Sequence, residues 1–130
     1  MALPEQQRER LDRLTERIIG GVHEVSNELG AGFLEKVYEN ALAVQLRFCG
    51  LAVEQQKRLE VRFRGALVGE FVTDLVVERD VLIEVKAVRA FDDVHVAQCL
   101  NYLKATGLPV CLLVNFGTAR AVIKRVVNDF

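Results

Sequence analysis

The segment from Glu70 to Val88 constrains this chain more than any other. Apolar residues dominate it: Phe71, Val72, Leu75, Val76 and Val77, then Val81, Leu82, Ile83, Val85 and Val88. Glu78-Arg79-Asp80 interrupts the run, and so short a polar break between two apolar stretches predicts a hairpin turn. With the turn centred on Arg79, Val77 pairs with Val81 and Asp74 falls opposite Glu84. Directly opposed residues have Cβ atoms about 4.5–5.5 Å apart. Side chains alternate along a strand, so Glu84 and Lys86 share that face. A slip of one residue would carry Asp74 to the other side of the sheet. Two carboxylates this close repel each other unless a proton or cation lies between them. Lys86 can act either as a partial ionic partner or as a catalytic cation. Acid–lysine pairs on strands are commonly surface ion pairs of little weight, so the hairpin alone does not establish a site.

Around the hairpin, hydrophobic periodicity orders the rest of the chain. Leu11, Leu14, Ile18, Val22, Val25 and Leu29 form one apolar stripe, which predicts a helix from Pro4 to Leu29. Its first ten or so residues carry little apolar content, so the start is expected to protrude or to meet a partner. Gly20-Gly21 marks close helix packing or a bend, and Gly30-Ala31-Gly32 stops the helix. A second helix is expected from Phe33 to Phe48, burying Leu34, Val37, Tyr38, Ala41, Leu42 and Phe48. Strands follow over Val53–Phe63, Leu67–Val77 and Val81–Val88. A third helix opens at Asp92 and Asp93, whose charges suit its positive end, and closes near Thr106-Gly107. Short strands complete the chain, Pro109 to Asn115 and Ala121 to Val126. The fold class is therefore α/β, a mixed central sheet flanked by helices in the order α-α-β-β-β-α-β-β. The step from the third strand through a helix to the fourth favours a right-handed parallel crossover.

The 130 residues suffice for one core, and residues 1–130 are read as a single domain. A formal net charge of -1 excludes an overall basic coat, although twelve of the seventeen Lys and Arg residues are arginine, which suits local phosphate contacts. Cys49, Cys99 and Cys111 sit in apolar surroundings without zinc spacing and are expected to be reduced core thiols in a cytoplasmic protein. The N-terminus is charged and no apolar run approaches the length of a membrane span.

Two further groups of residues bear on chemistry. His95, Gln98 and Tyr102 share a face of the third helix, whereas Val96, Cys99, Leu100 and Leu103 form another suited to packing on the sheet. His95 is a weak candidate for a phosphate contact, and His23 reads as a packing or surface residue. Glu35 lies in the first turn of the second helix, where the helix dipole alone can account for an acid.

Taken in order, Glu35, Asp74, Glu84, Lys86, Gln98 and Tyr102 resemble the active-site pattern of the PD-(D/E)XK nuclease superfamily, particularly its RecB-type branch. Gly32-Phe33-Leu34-Glu35-Lys36-Val37-Tyr38 is similar to the signature of the small GxxExxY family. The resemblance extends from Gly30 to Val126 and implies a restriction-endonuclease-like fold. It departs at Thr73, where the superfamily name has proline, a position expected to shape backbone rather than chemistry.

The resemblance implies a nuclease dependent on Mg²⁺, or Mn²⁺ as a substitute, cutting DNA ahead of RNA. Mg²⁺ prefers one or two carboxylates with waters and phosphate oxygens. Asp74 and Glu84 suit that role, with the Val85 carbonyl a further ligand and Glu35 completing the set directly or through water. Lys86 would orient the attacking water or steady developing charge, and Gln98 and Tyr102 would position ligands or phosphate. The alternative is a catalytically weak nuclease-fold protein acting as a nucleic-acid-binding or self-assembling scaffold. A homo-oligomer, foremost a dimer, is expected under either reading.

Overall fold

The computed structural model describes residues 3–128. Two helices lead the chain, α1 (Glu5–Leu29) and α2 (Glu35–Phe48). They are followed by β1 (Val53–Phe63), β2 (Ala66–Val77) and β3 (Val81–Lys86). The helix α3 (Asp93–Thr106) then crosses to β4 (Val110–Asn115), and β5 (Val122–Val127) ends the described chain. The five strands pair in sequence order; all neighbours are antiparallel except β3 and β4, which the α3 crossover makes parallel. The expected element order and mixed sheet are both present.

One face of the sheet packs on α1 and α2. Leu11, Leu14, Ile18, Val22 and Val25 of α1 meet Leu75, Val77, Ile83 and Val85 in one core. Gly21 explains how the two helices come so close: a Cβ there would lie 2.8 Å from Leu46 Cδ2. The opposite face packs on α3, with Val76, Leu82, Cys99, Leu103, Cys111 and Leu113 forming a second core.

Three expectations of burial are corrected. On α2 the buried residues are Tyr38, Glu39, Leu42, Ala43 and Leu46, while Leu34, Val37 and Phe48 are exposed. Leu46 seats against Gly21 of α1, and periodicity alone does not distinguish this inner face from the neighbouring apolar stripe. Leu100 of α3 is exposed, and Cys49 is an exposed thiol just past the end of α2. At the start of α1, Leu3 packs on the first core and Arg10 Nη1 bonds Asp80 Oδ2 at 2.6 Å, while the other side chains before Leu11 are mostly exposed.

The β1–β2 hairpin is longer than the sheet needs. Only Leu75, Val76 and Val77 of β2 pair with β3, so the rest projects as an arm of about 30 Å at the usual strand rise. Its turn is Arg64-Gly65, with φ of 51° and 79°. Positive φ at both central residues matches the twist of a two-residue hairpin.

Candidate active site

The site forms where β2 leaves β3. Backbone pairing runs from Val77↔Val81 to Leu75↔Ile83 and stops one pair short of Asp74 and Glu84. Side chains take over beyond that point. Asp74 Oδ2 accepts from the Val85 N–H at 2.8 Å, and Thr73 Oγ1 donates to Glu84 Oε1 at 2.8 Å. The register expected from a turn at Arg79 is present, but Asp74 reaches across to the backbone instead of closing a ladder pair. A strand residue points its N–H and C=O to the same edge, so the Val85 carbonyl faces the same gap.

Both arm strands change face at this point. Leu75 belongs to the core under α1 and α2, whereas Phe71, four residues away, stacks on Tyr102 of α3 with ring centroids 4.1 Å apart. On β1, Val53 packs on the first core and Leu59 on the second. Gln56 has φ 53°, and this left-handed residue breaks the alternation of side chains. Consecutive Gln55 and Gln56 consequently both donate to Glu39, at 3.0 and 2.8 Å.

Charge at the site is unbalanced. Burial is the largest cause raising the Glu84 pKa from 4.5 to about 7, and the charge of Asp74 adds to it. The Thr73 hydroxyl, the charge of Lys86 and the Asp74 backbone N–H only partly offset these effects. Asp74 is raised too, first by burial; Val85 and Lys86 oppose that rise, while the charges of Glu39 and Glu35 add to it. Lys86 therefore favours ionisation of both acids without neutralising either fully.

Glu35 comes to this end of the sheet through the loop before α2. Gly32 takes φ 117°, in the region that favours glycine. The fully buried Tyr38 pins the loop: its hydroxyl donates to the Gly30 carbonyl and accepts from the Phe33 N–H at 3.2 Å. Its ring stacks on Phe116 at 4.7 Å. The glycine and tyrosine of the motif thus serve to place its glutamate. Glu35 Oε1 accepts from the Ala87 N–H at 3.4 Å, just beyond Lys86 on β3.

On α3, Tyr102 lies close enough to the acids that Glu84 and Asp74, after burial, raise its pKa and keep it a phenol. Gln98 is exposed on the same helix and makes no hydrogen bond to either acid. His95 caps the helix, its Nδ1 accepting from the Asp92 N–H at 3.1 Å. That bond gives His95 a structural role at the start of α3.

Three supporting residues were not placed in the site by sequence reasoning. Thr73 bonds Glu84 directly, which a proline could not do, so this position bears on chemistry as well as backbone. Glu39 is buried and held by Gln55, Gln56 and Lys36; its position one turn after Glu35 was the available signal. Asn115 extends the β3 end sideways: its amide donates to the Val88 carbonyl at 2.8 Å and its oxygen accepts from the Val88 N–H at 3.0 Å. An asparagine ending an apolar strand was the signal there. Among the described residues, no three His, Cys, Asp or Glu side chains converge as a ready-made metal cluster. The unbalanced pair of oxygen ligands with an adjacent backbone carbonyl nevertheless fits a hard cation that keeps several waters.

A family model described as the PD-(D/E)XK nuclease superfamily matches residues 12–126. The chain belongs to the PD-(D/E)XK nuclease superfamily. Its match runs from within α1 into β5, so most of the described chain carries it and not the hairpin alone. Solved structures of the same fold include SSO0001, at 16% identity and TM-score 0.55, matched over 73% of this chain and 50% of that one. Another is an alkaline exonuclease (LHK-Exo) from Laribacter hongkongensis, at 16% identity and TM-score 0.53, matched over 72% of this chain and 56% of that one. This PD-(D/E)XK chain therefore spans about half the length of those neighbours. No curated protein matches it in sequence.

Proposed function

We propose that this chain is a metal-dependent nuclease that hydrolyses phosphodiester bonds of nucleic acid, DNA ahead of RNA. The observation that carries this reading is the Asp74–Glu84 pair, buried with less positive charge than it needs and flanked by Lys86. A bound divalent cation, Mg²⁺ with Mn²⁺ as substitute, would supply a water of lowered pKa and polarise the phosphoryl oxygen. Asp74, Glu84 and the Val85 carbonyl would hold it, with Glu35 acting directly or through water. Lys86 orients the attacking water or steadies charge on the phosphate. Tyr102 donates its phenolic proton to a phosphate oxygen, and Gln98 contacts the substrate from the exposed face of α3. The glycine–glutamate–tyrosine spacing from Gly32 to Tyr38 supports the GxxExxY family and the RecB-type branch as the finer placement.

The test is cleavage of labelled duplex, single-stranded and branched DNA and of RNA, with Mg²⁺, Mn²⁺ or EDTA. Metal-dependent cutting that disappears in Asp74→Asn and Lys86→Ala supports the reading. Cutting unaffected by both substitutions overturns it. A second reading, a nucleic-acid-binding or self-assembling scaffold with little turnover, draws on the lack of a converged three-residue cluster among the described residues. Tight binding without cleavage in any metal would favour it.

A reducing, cytoplasmic setting agrees with the free thiols of Cys49, Cys99 and Cys111. No helix among the described residues is long and apolar enough to cross a membrane. We take a homodimer as the working assembly, testable by light scattering.

A further inference from the structure

The arm and α3 enclose a groove of which the catalytic reading uses only Tyr102. It has a volume of about 620 Å³ and is lined by Val61, Arg62, Glu70 and Phe71 from the arm and by Tyr102 and Lys104 from the helix, with Glu70 paired to Arg58 at 3.5 Å. Its Tyr102 stacks on Phe71, three residues before Asp74 on β2, so the groove lies on the side of the arm that leads to the candidate active site.

We propose that this groove binds a single-stranded segment of nucleic acid running away from the cleaved phosphate, an inference that rests on the nuclease reading above. Charge supports it. Residues 57–72 hold four basic and two acidic side chains in a chain of net charge -1, so positive charge is concentrated on the arm. Arg62 reaches Glu60 at 2.8 Å, but both side chains are about half exposed, and such pairs exchange readily for phosphate. Lys104 supplies a second cation across the groove.

The lining and the size select single strands. A duplex presents phosphates outward and keeps its base faces stacked, so it gains little from Val61, Phe71 and Tyr102. An unstacked strand offers base faces that pack on apolar and aromatic side chains while its phosphates meet cations. The volume lies within the range of small-ligand sites and suits about one or two nucleotides. The arm's tip adds exposed Phe63 beneath Arg64, whose guanidinium lies 5.5 Å from the ring centroid, a further basic and aromatic contact along the same path.

The experiment measures anisotropy of a fluorescein-labelled single-stranded oligonucleotide and of the same sequence as duplex, in EDTA and graded NaCl. Wild type is compared with Arg62→Glu, Lys104→Glu and Arg62→Lys, each checked for folding by circular dichroism. Expected are tighter binding of the single strand, a loss of about tenfold in each charge reversal, and a salt slope reduced by about one per lost contact. Arg62→Lys should retain most of the binding. Equal affinity of wild type for both substrates, or reversals that bind the single strand as wild type does, overturns the groove while leaving cleavage intact. Reversals that dissolve an oligomer without weakening nucleic-acid binding overturn it as well and assign the groove to a second copy. A wild type that neither binds nor cuts nucleic acid overturns the nuclease reading itself.

Discussion

Replacing Glu84 with glutamine isolates the electrostatic burden of the site. Glu84 is 8% exposed, and its pKa rises from 4.5 to about 7 on folding. Raising a pKa by one corresponds to about 1.4 kcal/mol. Below pH 4.5 the carboxyl is protonated both folded and unfolded, and it costs nothing. As pH rises toward 7 the unfolded chain ionises first, so the folded state loses up to about 3 kcal/mol, and above 7 the loss is complete. Glutamine removes this penalty and still accepts the Thr73 hydroxyl. For a domain of this size, about 3–4 °C in Tm accompanies each kcal/mol. The variant should therefore melt about 10 °C above wild type near pH 8 in EDTA, and the gap should shrink to a few degrees near pH 5. Calorimetry or thermal circular dichroism reads this directly. Mg²⁺ should raise the Tm of wild type by ligand linkage and leave the variant nearly unchanged. A gap of equal size at both pH values would mean that Glu84 ionises normally in the fold. The pair would then have no charge deficit for a cation to fill.

Four further outcomes follow from other contacts. Lys86→Ala and Asp74→Asn should each lower cleavage by about 100-fold or more, the scale of losing a charge-stabilising group; single-turnover kinetics checks this. Thr73→Val, similar in volume, should cost about 1–2 kcal/mol near neutral pH in urea melts and extend the pH-dependent loss of stability above 7, because Glu84 loses a bond that favours its charged form. Tyr38→Phe leaves the buried Gly30 carbonyl and Phe33 N–H without their partner and should destabilise by about 1–3 kcal/mol; its loosened loop should also lower cleavage through Glu35. Gly117→Ala would place a Cβ 2.2 Å from the Val88 carbonyl oxygen, a backbone atom that cannot step aside; expression and Tm should fall more than in any of the surface variants above.

How much of this was legible in the sequence depended on which forces acted locally. The β2–β3 turn was legible because Glu78-Arg79-Asp80 is polar and its neighbours are not, and the pairing Val77↔Val81 follows. The crossover to β4 followed from helix and strand order alone. The buried face of α2 followed only in part: Tyr38 and Leu42 are buried as expected, but Val37, Val44 and Phe48 are as apolar as Ala43 and Leu46, and it is Leu46 that seats against Gly21 on a different helix. His95 was ambiguous for a related reason. A histidine at the third position of a helix can cap it or face solvent, and only the Asp92 backbone decides.

The site itself was half legible. Residue types and order pointed to Asp74, Glu84 and Lys86, but alternation alone would have closed the hairpin over them. What opens it is the change of face in the arm, where Gln56 takes a left-handed conformation and Phe71 turns to stack on Tyr102. A β2 that continued to pair with β3 would bond the Val85 N–H to a backbone carbonyl. Because β2 departs, the Asp74 carboxylate takes that N–H, and the Thr73 hydroxyl turns to Glu84. The arm is therefore part of the cause of the site, not an appendage to it. Its stack on Tyr102 holds open the gap in which the two acids meet, and the same stack lines the groove between arm and helix.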